Sequence, residues 1–319
     1  MKTVIVTAVQ MKNFRFAVMA LVLLVAPYGL AACSSGDRPA VTAAGDCPTD
    51  PVPVVVSVDQ WGDIVGQLGG SCAKVTTLLA GSGVDPHDFE PSPADAAKVS
   101  GAKLVVVNGG HYDEWANKLA ASSAPQAPVV SAVDLRGGNQ IGEGNPHVWY
   151  DPATVVKVAD VVTKKLTELA PEATDYFAAR RSEFTEALKP YQQAIATIAD
   201  HAKGRTYAAT ESVFDDMAAA VGLIDRTPAG FAAAAAHESD PSPADQAAFL
   251  KLLSDHGVDV LIYNTQTEGS VPQQIRTAAE NASVPVVEVT ETVAPGSKSF
   301  QDWQLNQLKA LAGALGVTL

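Results

Sequence analysis

The strongest constraint on the fold of this chain is that it repeats itself. His87-Asp88-Phe89-Glu90-Pro91-Ser92-Pro93-Ala94-Asp95-x-Ala97 is answered by His237-Glu238-Ser239-Asp240-Pro241-Ser242-Pro243-Ala244-Asp245-x-Ala247. Both copies close on Ser-Pro-x-Asp, which places a serine cap, a proline in the first turn and an acid near a helix N-terminus. Each expected helix hands over to a short apolar run ending in asparagine, Leu104–Asn108 and Val260–Asn264. Farther on, Pro128–Asp134 is echoed by Pro285–Glu291. Matches in one order at a nearly constant offset indicate two lobes of like architecture, rather than two similar βα units inside one domain.

Short β-branched runs alternate with helix-length amphipathic runs in each half. Strands are expected at Val54–Val58, Lys74–Leu79, Leu104–Val107 and Val129–Val133, and again at Thr206–Ala209, Val258–Tyr263 and Val286–Val289. Near-continuous apolar strands of this kind belong to parallel sheets covered on both faces. Between the halves, Ala153–Leu169 reads as one helix and Pro171 opens another that runs from Glu172 to about Lys203. Tyr176, Phe177, Phe184, Leu188, Tyr191, Ile195 and Ile198 fall at helical spacing along it. No Gly/Ser linker interrupts the passage, so a stiff helix joining the lobes allows rocking and not a wide hinge. The expected class is α/β: two pseudo-symmetric lobes with parallel sheets, 53–170 and 204–319, bridged by a long rigid helix at 171–203.

The first residues read as an address. Met11-Lys12-Asn13-Phe14-Arg15 is basic, and Phe16–Ala32 is apolar but broken by Pro27 and Gly29. A stretch this short and interrupted is a signal peptide, 1–32, rather than a membrane span, and the basic run makes Met11 the expected true start. It ends in Leu30-Ala31-Ala32-Cys33, which resembles a bacterial lipobox in which Cys33 becomes the lipidated first residue. Residues 33–52 are rich in Pro, Ser, Gly, Asp and Ala and suit a tether from a membrane anchor. The remaining cysteines, Cys47 and Cys72, make an even pair in an exported chain, which favours a disulfide.

Charge removes one function class. With 35 Asp+Glu against 22 Lys+Arg, a formal −13, the chain lacks the cations that nucleic-acid phosphates demand. Parallel sheets bind ligands at the carboxyl ends of their strands. The polar residues there are Gly81–His87, Thr210-Glu211-Ser212 and Thr290-Glu291-Thr292, joined by Asn145-Pro146-His147 before the interlobe helices. Asp-Pro-His and Asn-Pro-His each hold an imidazole at a loop tip beside a rigid residue. Two imidazoles, His87 and His147, and two carboxylates, Glu211 and Glu291, make an N2O2 set suited to Zn2+ or Mn2+ and too rich in nitrogen for Ca2+ or Mg2+. Each signal has a plainer reading: a loop histidine is usually a surface residue, Glu211 is also placed to cap a helix at Ser212, and Glu291 to be a solvated acid. His111, after Asn108-Gly109-Gly110, is an auxiliary candidate near the cleft mouth, and His237, at the repeat position of His87, is an auxiliary or vestigial one. The chain has no His-Glu-x-x-His and no Gly-x-Ser-x-Gly, which disfavours a metallohydrolase.

Pro86–Pro91, Asn145-Pro146-His147-Val148-Trp149-Tyr150-Asp151-Pro152, Thr210–Phe214, Val289–Thr292 and the lipobox resemble the zinc/manganese-type (ZnuA/TroA-like) substrate-binding lipoproteins of bacterial ABC importers. The similarity covers roughly Val54 to Leu315. It implies a helix-bridged receptor with the metal between its lobes, ligated by His87, His147, Glu211 and Glu291. It further implies a non-enzymatic monomer, lipid-anchored on the outer face of the cytoplasmic membrane, that delivers Zn2+ or Mn2+ to an ABC permease and its ATPase. Two departures matter. Glu211 stands where zinc-type members commonly carry a third histidine, whereas Glu291 resembles a subset of zinc binders. The His-rich loop of some zinc-type members is also missing from Arg136–Gly144. A receptor for a siderophore or haem is the alternative on a similar fold, and it would want an aromatic or Arg-lined cleft.

Overall fold

The computed structural model describes residues 45–81, 86–87, 89–136, 144–237, 239–267 and 269–319. The expected leader, Cys33 and most of the tether lie outside these residues, as do residues 137–143. Chain order in the first lobe is β1 (Val52–Val58), α1 (Asp59–Gly69), β2 (Ala73–Leu79), α2 (Pro93–Val99), β3 (Leu104–Val107), α3 (Glu114–Ser123), β4 (Val129–Ser131) and α4 (Pro152–Leu169). The bridging helix α5 (Thr174–Ala202) follows. The second lobe holds β5 (Thr206–Ala209), α6 (Asp215–Ala220), β6 (Ile224–Asp225), α7 (Ala229–Ala236), α8 (Pro243–Ser254), β7 (Val260–Asn264), α9 (Ser270–Asn281), β8 (Val286–Val289) and α10 (Phe300–Leu315).

The repeat seen in the sequence is a repeat of topology. Both sheets are four-stranded and wholly parallel, ordered β2-β1-β3-β4 and β6-β5-β7-β8. The Ser-Pro-x-Asp motifs cap α2 and α8: Ser92 Oγ accepts from the Asp95 amide and Ser242 Oγ from that of Asp245. A cap of this kind contributes about 1 kcal/mol and fixes where each helix begins.

Strand alternation divides the core. In β1, Val54, Val56 and Val58 face inward while Val55 joins an outer layer with Val105, Val107, Val99 and Ala116. In the second lobe Val260 and Ile262 face inward and Leu261 joins Phe231, Phe249 and Ile275 outside. The inward residues of both sheets meet Phe177, Phe184, Leu188, Tyr191 and Ile198 of α5 and Trp303, Leu308, Leu311 and Leu315 of α10 in one continuous cluster. α5 runs unbroken through Pro190. At about 1.5–3 kcal/mol for each large apolar side chain buried, this shared layer makes independent motion of the lobes costly. Cys47 and Cys72 are disulfide-bonded and stitch the chain before β1 to the turn between α1 and β2. Among the described residues no helix is long and apolar enough to cross a membrane.

Candidate metal centre

The four candidate ligands all stand beyond strand carboxyl ends. His87 lies in the loop after β2, His147 between β4 and α4, Glu211 just after β5 and Glu291 just after β8. Three of them converge: one ligand atom each of His87, His147 and Glu291 lie within 4.8 Å of one another. His147 and Glu291 are each only 7% exposed. His147 Nε2 faces Glu291 Oε2 at 3.6 Å, too long for a hydrogen bond, and both atoms are buried without a hydrogen-bond partner among the described residues. Polar atoms are not normally left in that condition, because each costs about 1–3 kcal/mol.

Glu211 is outside that trio but coupled to it. Asn264 Nδ2 donates to Glu211 Oε2 and, at 2.9 Å, to Glu291 Oε1. One neutral amide thus holds two carboxylates side by side. Glu211 occupies the N-cap position of the turn at Ser212–Phe214, yet its side chain makes no capping bond.

The scaffold fixes these side chains from behind. Asn145 Oδ1 accepts from the His147 amide at 3.0 Å and contacts its Nδ1 at 2.7 Å. That assigns the proton to Nδ1 and turns the Nε2 lone pair toward Glu291. The same asparagine donates through Nδ2 to the Ser212 carbonyl in the other lobe at 2.8 Å. Tyr150, three residues past His147, donates to the Thr290 carbonyl at 2.8 Å, next to Glu291. Asp59, the first residue of α1, accepts from Gly81 N at 2.8 Å, at the start of the His87 loop, and from Val293 N at 3.3 Å, just past Glu291. Arg136 donates to the Asn145 carbonyl at 2.7 Å and pairs with Asp216 of α6, both side chains buried. The loops that carry the candidate ligands are therefore tied across the cleft before any ion arrives.

Electrostatics separates the two glutamates. Burial by itself would raise the Glu291 carboxyl, but the facing His147, the nearby His87 and the Asn264 amide outweigh it and hold the group below its usual value. Burial, followed by the negative charge of Glu291, pushes Glu211 up. Without an ion, Glu291 is the carboxylate and Glu211 the more readily protonated acid. Burial and the charge of Glu291 also keep the Tyr112 phenol protonated against the imidazoles.

The two auxiliary histidines divide. His111 is exposed and its ring lies 5.8 Å from that of His87, centroid to centroid. His237 is exposed at the end of α7 and takes no part in the trio. Sequence reasoning did not foresee the part played by Asn145, Asn264 or Asp59. For Asn264 a signal existed, since the apolar runs of both repeats end in asparagine. Asn108, the counterpart, donates to the Pro146 carbonyl at 2.8 Å and so steadies the His147 loop.

Comparison with known proteins follows the same lines. The sequence profile of ZnuA, zinc-uptake complex component A periplasmic, matches residues 54–314. The chain belongs to this family. Among its relatives, the high-affinity zinc uptake system protein ZnuA of Bacillus subtilis is 25% identical over 242 residues, 70% of this chain and 73% of that protein. The manganese-binding lipoprotein MntA of Halalkalibacterium halodurans is 26% identical over 145 residues, 44% of this chain. That match spans about half the length of the relative, 47%. The periplasmic zinc-binding protein TroA of Treponema pallidum superposes with a TM-score of 0.69 over 84% of this chain and 99% of that one at 18% identity. At that identity the likeness is one of fold: paired parallel sheets and a long helix.

Proposed function

We propose that this chain is an extracytoplasmic binding protein that takes one divalent transition ion, Zn2+ or Mn2+, into the cleft between its lobes and delivers it to an ABC permease and its ATPase. The ligands are His87, His147, Glu211 and Glu291. The observation that carries this reading is the buried pair His147 Nε2 and Glu291 Oε2, which face each other unpartnered beside His87. An ion between them would satisfy both atoms at once. Asn264 leaves Glu291 Oε2 free of its own bond and brings Glu211 alongside, so the second carboxylate is at hand to complete the charge balance.

The family and the names of its relatives support the transport role, and their named metals, zinc and manganese, support the cargo. The leader and Cys33 support a lipid anchor at the outer face of the cytoplasmic membrane. Four protein ligands leave no open coordination position for a substrate, which favours a receptor over a metallohydrolase. Ligand atoms within 4.8 Å of one another suit a bare ion rather than a siderophore or haem. Zn2+ is expected to outbind Mn2+ at such a set whichever is imported.

The test is elemental analysis of protein purified without added metal, beside His87→Ala and Glu211→Ala. Wild type should carry about one ion per chain and both variants much less. Equal metal in all three would place the site elsewhere.

A further inference from the structure

The loop between β3 and α3 is anchored tightly on both sides of His111. Asp113 is fully buried and its two carboxylate oxygens accept from the amides of Asn108 and Gly109, each at 2.7 Å. Gly109 and Gly110 take φ of 87° and 63°, and a Cβ on Gly109 would lie 2.3 Å from Ser131 Oγ. The chain therefore turns tightly against β4, in a conformation that excludes larger residues. Tyr112 is buried and sets its ring edge-on to His87 at 4.8 Å and to His147 at 5.9 Å. His111 lies between these anchored residues, yet it is exposed. Its ring centroid is 5.8 Å from that of His87, nearer than the 6.2 Å that separates His87 from His147. With metal–nitrogen bonds of about 2.0–2.1 Å, two rings sharing an ion have centroids about 5 Å apart at a tetrahedral angle and somewhat over 6 Å when opposed. His87 thus stands between two imidazole neighbours, one solvent-facing and one buried.

The geometry points to a second, outer metal station formed by His111 and His87, where a hydrated divalent transition ion is first held before His147 and Glu291 draw it inward. His87 is common to both stations. The transfer is a ligand exchange with no redox step: the ion gives up His111 and water and gains His147 and the carboxylates, keeping His87 throughout. This rests on the inner site proposed above.

The kinetic consequence has a definite sign. A station outside the final site changes the path and not the end state, so removing it must slow uptake and release by the same factor. Zn2+ exchange with a fluorescent chelator in stopped flow, wild type against His111→Ala, should show both rates several-fold lower with the equilibrium affinity unchanged. Unaltered rates would overturn the proposal. Faster release with weaker affinity would also overturn it, by making His111 a ligand of the final site. Cu2+, the strongest taker of imidazole in the divalent series, supplies a direct count. By electron paramagnetic resonance, His147→Ala should bind Cu2+ through two imidazole nitrogens, and the His111→Ala/His147→Ala protein through one. The same count in both would refute the outer station. A Zn2+ titration of His147→Ala tells the two failures apart, because wild-type affinity there would sink the inner site itself.

Discussion

Replacing Asn264 with alanine removes a single neutral side chain, 2% exposed, on which both carboxylates of the proposed site lean. Two hydrogen bonds to ionisable acceptors are lost, one to Glu211 and one to Glu291. Bonds to charged groups contribute about 1.5–3 kcal/mol each, so the lower figures sum to about 3 kcal/mol. Glu211, already raised by burial and by Glu291, can take a proton and limit the loss, which is why the lower figures apply. At about 2–4 °C per kcal/mol for a chain of this size, the metal-free protein should melt about 6–12 °C lower. The carboxylates would also lose their orientation, and outer-shell partners of this kind typically govern metal affinity by about 10–100-fold. Differential scanning calorimetry of the stripped protein and a chelator-competition titration with Zn2+ measure the two effects. An affinity within about twofold of wild type would refute the claim that Asn264 sets the acid side of the site.

Other expectations concern the frame around it. Burial pushes the Asp215 carboxyl up to about 7 and that of Asp216 to about 6 from a usual 3.8. At these two groups the folded chain therefore binds more protons than the unfolded one between pH 3.8 and about 7, and they make stability fall as pH rises through that range. Asp215→Asn should flatten that fall in denaturant titrations across the range, and an unchanged slope would exclude Asp215 as a source. Phe184→Ala, in the layer shared by both lobes, should cost about 3–5 kcal/mol and leave one cooperative unfolding transition; separate transitions for the lobes would contradict the continuous core. Cys47→Ser opens a cross-link over a separation of 25 residues and should cost about 3–4 kcal/mol by chemical denaturation, with reductant then having no further effect. Metal affinity should weaken on acidification from about pH 8 to about pH 5, since protons compete for every proposed ligand. A flat affinity would count against that ligand set.

The parts of this fold that were legible in the sequence are those where a pattern repeats or a residue type has few uses. Ser-Pro-x-Asp marked the starts of α2 and α8, and apolar β-branched runs marked β1, β3 and β7, because burial on both faces leaves little else for them to be. β6 escaped notice: it is only Ile224–Asp225, both exposed, and pairs with β5 at the sheet edge. α7 escaped because Ala229–Ala236 is nearly all alanine and glycine, which gives no apolar stripe to read. At the site, histidines and glutamates at strand ends stand out by type. The asparagines that position them do not, since an amide neither titrates nor ligates such ions strongly, and its use depends on partners far away in the chain. Asn145 and Ser212 meet only once the lobes are packed, and Asn264 and Glu211 only once β5 and β7 pair.

X-ray absorption spectroscopy of the protein loaded with one equivalent of Zn2+ tests the central claim most directly, because it reports the ion's own neighbours. The account predicts two imidazole nitrogens with the remaining donors oxygen, and one imidazole in His87→Ala, which removes the ligand that His147 and His111 share. A spectrum without imidazole scattering, or one that His87→Ala leaves unchanged, would contradict it.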